Sequence, residues 1–457
     1  MDWDTLLNSS RPRPSTSTGD HRTQFERDYD RAVFSTPVRR LQDKTQVFPM
    51  EPHDAVRTRM THSLEVSSVA RGLATAVADR LKREIDPETA RSIETIARTC
   101  GLIHDLGNPP FGHAGEDAIR YWFGSERGKE AIESLPADRP QLTQDFLNFE
   151  GNAQSLRLVA KLQILSDYNG LNLTYGTLSA SCKYTAPSHQ ANPQARNHAM
   201  RKPGYFASEN QVMQKIRRRT GTGQARNPIA FLVEAADDIV YAVADVEDGV
   251  KKGILSWKSL RAEVSQDKSA AVQAALENMK KILKAGRKSI PRGLPDDVYA
   301  SAFRTAAIGI LVESAAEAFK EHYADIMAGS YERDLVGDCG AAPFVELLKG
   351  IGSRRVYTTA PTLKLEIMGR KVIFDLMTIF WQGAQELPLD RPPKTKNYAG
   401  KVGALLSDNY RRVFSHFVQA DRELPETYHR LQLVTDYVCG MTDSFARRLH
   451  AELTNGA

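Results

Sequence analysis

His104 and Asp105 stand side by side in the run CGLIHDLGNPPFGH over residues 100–113. An imidazole and a carboxylate on adjacent residues share a helix face only if both turn toward one point, and a metal ion is the usual such point. Metal chemistry needs several hard or borderline ligands from separate elements, with positions left open for water and substrate. His62, ahead of the pair, and an aspartate among Asp237, Asp238 and Asp245, after it, have the right chemistry to complete such a set. A lone histidine is more often structural than a ligand. The order His, then His-Asp, then Asp on successive elements is much harder to obtain by accident.

The elements that must position these residues read as helices. From His62 to Leu81 the apolar residues Val66, Val69, Leu73, Val77 and Leu81 recur at three- and four-residue steps. Pro87 starts a second helix carrying Ile93, Ile96, Cys100 and Ile103, and Gly107, Pro109 and Pro110 end it, so His104 and Asp105 fall at its C-terminus. A further helix is expected over residues 146–161. Residues 229–246 give the most regular stripe, Ile229, Val233, Ala236, Val240 and Val243, and beside it Asp237, Tyr241 and Asp245 climb one face at four-residue steps. Acids next to an apolar stripe are costly to bury unless paired or bound to a cation.

The rest of the chain frames this. Residues 1–20 are polar and read as a flexible start, followed by an Arg- and aromatic-rich stretch to about residue 48 whose simplest reading is a solvated helix with ion pairs. The polar residues 189–228 read as an excursion from the core. A catalytic core over 21–260, with that insertion, would be followed by a helical region, 261–457, packed on it. Residues 354–368 are the only moderate candidate for paired strands. The fold class is mainly α.

At 457 residues with 41% hydrophobic and 26% charged residues, the composition is that of a globular protein with a large core. A net charge of +5 permits anionic ligands without demanding nucleic acid. Cys100, Cys182, Cys339 and Cys439 are far apart and form neither a zinc ribbon nor a disulfide framework, which fits a reducing cytoplasm. There is no apolar signal core at the start and no stretch approaching the roughly 20 apolar residues of a membrane span.

The pattern H…HD…D on a helical scaffold resembles the HD-domain phosphohydrolases and, within them, the deoxynucleoside triphosphate triphosphohydrolases, the dGTPase family. The likeness is carried by RT at 22–23, RRLQDKTQVF at 39–48, RMTHSLEV at 59–66, HDLGNPPFGHAGE at 104–116, FEGNAQSLR at 149–157, KY at 183–184, KPGYF at 202–206, EAADDIVY at 234–241 and DYVCGMTD at 436–443. It implies an HD-domain helical core with His62, His104, Asp105 and Asp237 as metal ligands, and Asp238 as the rival for the fourth place. The metal would be Mg²⁺ or Mn²⁺, with Fe²⁺ or another transition metal as alternatives. His113 and Glu116, three residues apart, would form a proton-transfer pair. Arg59, Lys183, Tyr184 and Lys202 fall at phosphate-contacting positions, with Asn152 a weaker assignment. Tyr241 and Asp245 would close on a deoxyribose, and Gln46 falls near sugar and base.

The activity implied is hydrolysis of a dNTP, with dGTP foremost, to deoxynucleoside and inorganic tripolyphosphate. A homo-oligomer, in the form of a hexamer, and a nucleotide or single-stranded DNA effector are also implied. Two other readings stay open at this level: another HD-domain nucleotide phosphohydrolase, or a nucleic-acid-binding regulatory protein with a residual site, to which the arginines between 196 and 226 would contribute.

Overall fold

A computed structural model describes residues 1–15, 20–46, 56–163, 167–285, 288–291 and 293–454. It is mainly α-helical, and its described strands are Ala186–Pro187 and Pro203–Tyr205, paired in parallel. Among the described residues no helix is long and apolar enough to cross a membrane. Val47 and Phe48, the end of the 39–48 run, lie outside them.

The helices expected around His62 and His104 are present. Arg59–Arg80, the His62 helix, starts at Thr58, whose hydroxyl accepts from the Thr61 amide while the Thr61 side chain accepts from the Thr58 amide. Pro87–Ile103 starts on an Asp86 cap that accepts from the amides of Glu88 and Thr89, and Pro87 loses nothing there because a first-turn amide has no helical partner. The two helices cross closely at Gly101, where a Cβ would meet the Ser67 backbone at 2.8 Å. The Ser67 hydroxyl donates to the Arg98 carbonyl at the same crossing, 2.7 Å away. This contact brings His62 beside the end of the second helix.

Buried apolar side chains fall into two clusters. One gathers Val66, Leu73, Ile96, the apolar residues of the Pro228–Lys251 helix and much of the chain from 255 to 356. The other gathers Leu102, Ile103, Phe111, Ile119, Trp122, Phe149, Met213 and the chain from 372 to 446. The Pro87–Ile103 helix contributes to both, so His104 and Asp105 emerge where the clusters meet. Pro228–Lys251, the Asp237 helix, is longer than expected at both ends and buried on nearly every face.

Four expectations are corrected. Residues 1–15 are anchored rather than flexible: Trp3 and Leu6 are buried, and the Arg11 guanidinium meets Asp28 at 2.5 Å in the interior. Residues 146–161 are not one helix; Pro140–Leu147 and Gly151–Arg157 are separated by a turn, and a π-helical turn, Leu158–Leu162, follows. The 189–228 stretch contributes to the core: Tyr205, Phe206, Met213 and Ile216 are buried in the second cluster. Residues 354–368 form no strands. A π-helical turn, Gly352–Val356, leads to the helix Ala360–Gln385, started by a proline in its first turn and held by Val372, Ile373, Leu376, Met377 and Phe380 in the second cluster. The β-branched run before that proline suggested a strand, and the longer 3.6-residue pattern after it prevails.

The second cluster encloses a charged knot. Arg157 donates to both oxygens of Asp436 at 2.8 and 2.7 Å and to Glu209 at 3.0 Å, and Gln154 also donates to Asp436, at 2.9 Å. Removing one side of a buried ion pair strands the other charge, a loss of about 3–5 kcal/mol. Asp436→Ala should therefore lower the urea midpoint and melting temperature strongly, whereas Asp408→Ala, in an exposed i,i+4 pair with Arg412, should shift them little.

Candidate metal and phosphate site

His62, His104 and Asp105 converge: one donor atom from each lies within 4.8 Å of the others. Asp237 completes the group, its Oδ1 being 3.1 Å from His62 Nε2 and 3.5 Å from His104 Nε2. Asp238 faces elsewhere and meets Lys349 Nζ at 3.2 Å. His104 caps the helix that ends at Ile103, and its ring Nδ1 donates back to the Gly101 carbonyl at 2.7 Å. In the neutral ring this leaves the lone pair on Nε2.

That Nε2 is buried and forms no well-aligned hydrogen bond, yet it lies 3.5 Å from oxygens of both Asp105 and Asp237. A lone pair facing two carboxylates is repulsive unless a proton or a metal cation sits between them. Burial pulls the His104 pKa down, but the charges of Asp105 and Asp237 prevail and raise it to about 9. Burial pushes Asp105 up, and the Arg59 guanidinium and His104 outweigh it, holding the carboxyl at about 2. Two imidazoles and two ionised carboxylates are the donor set a divalent transition metal or Mn²⁺ accepts, so these residues fit a metal.

The other acids on the Asp237 helix are already paired. Glu234 meets Arg226 and Lys183, and Glu247 and Asp248 both meet Arg57 at 2.5 Å. Asp237 differs from them in having imidazoles as its near neighbours.

A cleft of about 430 Å³ opens beside the cluster, within the range of small-ligand pockets. His104, Asp105, Asp237 and Asp238 line it, and His62 sits behind them, almost wholly buried. Across from the cluster, His113 opens the helix His113–Gly124. Its side chain is 89% exposed while that of Glu116 is 3% exposed, and Nδ1 is 3.2 Å from Glu116 Oε2. The other Glu116 oxygen accepts the Gly151 amide at 2.8 Å. A carboxylate fixed by a backbone donor thus orients the imidazole and leaves Nε2 toward the cleft. The hydrogen bond to Glu116 raises the His113 pKa. Burial pushes Glu116 up, but the bond from His113 prevails and its pKa is lowered.

Arg59, Lys183, Tyr184, Lys202, Asn152, Gln46 and Tyr241 all line the same cleft. Each cation is held in place. Arg59 donates to the Asp105 carboxylate and to the Thr45 carbonyl, Lys183 is 3.7 Å from Glu234, and Lys202 is 3.1 Å from Glu150. Both lysine Nζ atoms lie 5.9 Å from the Tyr184 ring centre, and Asn152 donates to Glu150 at 2.8 Å. The Gln46 Oε1 is buried without a hydrogen-bond partner among the described residues.

Asp245 alone among the expected substrate residues is kept from the cleft. It is 2% exposed, and the Tyr357 hydroxyl donates to it. Tyr357 itself lines the cleft and lies against Tyr241, ring centres 6.1 Å apart. Burial raises the Asp245 pKa to about 8 despite that hydrogen bond.

Tyr357, Glu150 and Glu234 are site residues the sequence reading missed. Tyr357 was hidden by reading 354–368 as strands. Glu150 and Glu234 lie inside the quoted motifs, beside Asn152 and Asp237, and only their partners reveal them.

Family models match in two places: the HD domain over residues 59–140 and the phosphohydrolase-associated domain over 341–452. The chain is 37% identical over 470 residues to a deoxyguanosinetriphosphate triphosphohydrolase-like protein of Listeria monocytogenes, covering 99% of each. It is 32% identical over 519 residues to the deoxyguanosinetriphosphate triphosphohydrolase of Yersinia enterocolitica, again covering 99% of each. That of Yersinia pestis is likewise 32% identical, over 514 residues.

The geometry separates the two adjacent aspartates. Asp237→Asn should reduce metal retention, read by elemental mass spectrometry after dialysis, by at least the roughly 10–100-fold that loss of a supporting residue costs. Asp238→Asn should leave it close to wild type.

Proposed function

Since the chain belongs to the deoxyguanosinetriphosphate triphosphohydrolase family and carries its HD hydrolase domain, we propose that it cleaves the O5′–Pα bond of a dNTP, dGTP foremost, giving deoxynucleoside and intact tripolyphosphate. The observation that carries this reading is the presence, in the lining of one cleft, of the His104 Nε2 facing two carboxylates and the His113 imidazole steadied by Glu116.

His62, His104, Asp105 and Asp237 would hold the metal, which when bound polarises a phosphoryl oxygen and acidifies water. Arg59, Lys183 and Lys202 bring the positive charge a triphosphate needs, and their present carboxylate partners keep them extended into the cleft. Glu116 keeps His113 protonated to higher pH than an ordinary imidazole, so His113 enters as an acid and gives its Nε2 proton to the departing 5′-oxygen. Tyr241 and Tyr357 form an aromatic wall for the sugar, with Asp245 reached through the Tyr357 hydroxyl. The Gln46 oxygen, without a hydrogen-bond partner among the described residues, offers an acceptor to sugar or base.

The product assay is direct. Metal-loaded protein should convert dGTP in ¹⁸O-water to deoxyguanosine and labelled tripolyphosphate; release of only orthophosphate or pyrophosphate sinks the proposal. His113→Ala should lower kcat by roughly 10²–10⁴-fold, the usual contribution of a positioned acid or base, with metal content unchanged. Because the acid form of His113 is lost as pH rises through its raised pKa, kcat should fall on the alkaline side. In Glu116→Gln that limb should move down toward the ordinary imidazole value of about 6.5.

A further inference from the structure

His113 reaches the cleft from an unusual turn. The two residues before it both have positive φ, 64° at Phe111 and 57° at Gly112. Glycine adopts that conformation readily; phenylalanine rarely does. A side chain at 112 would also be crowded, since a Cβ there would lie 3.0 Å from Arg59 Nη2. Phe111 must therefore be held from outside, and two contacts do so. Its buried ring packs against Gly369 of the Ala360–Gln385 helix, where a Cβ would come within 2.7–3.0 Å of the ring carbons and Cβ of Phe111. Its amide donates to Asp443 Oδ1 at 3.0 Å.

Asp443 is 2% exposed and opens the helix Asp443–Thr454. Its Oδ2 accepts from the Thr45 amide at 3.0 Å and from the Thr45 hydroxyl. One carboxylate from the C-terminal region thus joins the turn before His113 to Thr45, whose backbone forms an isolated bridge with Thr58. A second tie runs parallel: Lys44 Nζ donates to the carbonyls of Asn108 at 2.6 Å and Cys439 at 2.7 Å. Asp443 touches none of the four metal-cluster residues. It reaches the turn that aims the imidazole and, through Thr45, whose carbonyl accepts from Arg59, the edge of the same cleft.

We propose that Asp443 is a positioning residue for His113, fixing the left-handed Phe111–Gly112 turn so that the imidazole meets both Glu116 and the cleft. This rests on reading His113 and Glu116 as the proton-transfer pair. Without the carboxylate, the Phe111 amide loses its acceptor inside the protein and the turn relaxes. A displacement of about 1 Å at a reacting group can cost roughly 10²-fold in rate.

The test compares Asp443→Ala, Asp443→Asn and His113→Ala as full-length metal-loaded proteins, measuring kcat, KM, the pH profile of kcat, metal content and melting temperature. For Asp443→Ala we expect kcat to fall by about 10–100-fold, KM to rise by less than kcat falls because Thr45 also holds Arg59, and metal content to stay at the wild-type level. The alkaline limb should move down toward about 6.5, because an imidazole that has left Glu116 regains its ordinary pKa. Asp443→Asn keeps the volume and one accepting oxygen, so it serves where Asp443→Ala fails to fold, and should show the same split of kcat against KM at smaller size. Wild-type kcat and pH profile in the foldable Asp443 variants, with His113→Ala inactive, would overturn the inference, as would loss of metal in step with kcat. Normal turnover by His113→Ala would instead remove the proton-transfer reading on which it rests.

Discussion

Like charges set the terms for this molecule. Asp105 and Asp237 lie within 3.5 Å of one imidazole nitrogen in a partly buried site, with Arg59 beside Asp105 and a second imidazole beside Asp237. Such a cluster persists in a folded protein only if the packing around it is firm and a cation completes it. The packing is supplied by the close crossing at Gly101, which sets the His62 helix against the end of the next one, and by the long buried helix that carries Asp237. Placing the cluster where the two apolar clusters meet gives it walls from both and leaves one side open to the cleft.

The same logic extends outward in pairs. Every cation expected to face phosphate has a carboxylate close by: Arg59 with Asp105, Lys183 with Glu234, Lys202 with Glu150. Such pairing limits the cost of keeping cationic side chains in a partly buried cleft and holds their reach. The knot of Arg157, Asp436, Glu209 and Gln154 performs a comparable service for the scaffold, because it joins the helix whose first amide fixes Glu116 to the C-terminal helices.

Much of this was legible in the chain. The helical periods around His62, Ile96 and Val240 and the order of the histidines and aspartates pointed to the elements and to the residues the structure brings together. The preference for Asp237 over Asp238 comes from the family resemblance, whose pattern Asp237, Tyr241 and Asp245 match, and the structure places Asp237 beside His62 and His104. What was not legible depended on contacts across the chain. Asp245 had the expected spacing, but nothing local shows that Tyr357, more than a hundred residues later, covers it. The polar stretch 189–228 read as an excursion by composition, although Tyr205, Phe206, Met213 and Ile216 reach the core. Residues 354–368 carried two conflicting local signals, and the helix won through tertiary burial after residue 371.

The Arg59–Asp105 pair has a thermodynamic consequence. Asp105 belongs to the His62–His104–Asp105 group that could hold a metal ion, and the Arg59 guanidinium donates to it, so each now neutralises the other. A divalent ion that takes up the charge of Asp105 loosens its hold on Arg59 and makes that guanidinium available to an incoming anion. By reciprocity, an anion that draws Arg59 away leaves Asp105 a stronger donor to the ion. Were both to bind, ion and anion would be linked heterotropically through this single side-chain contact, each promoting the other.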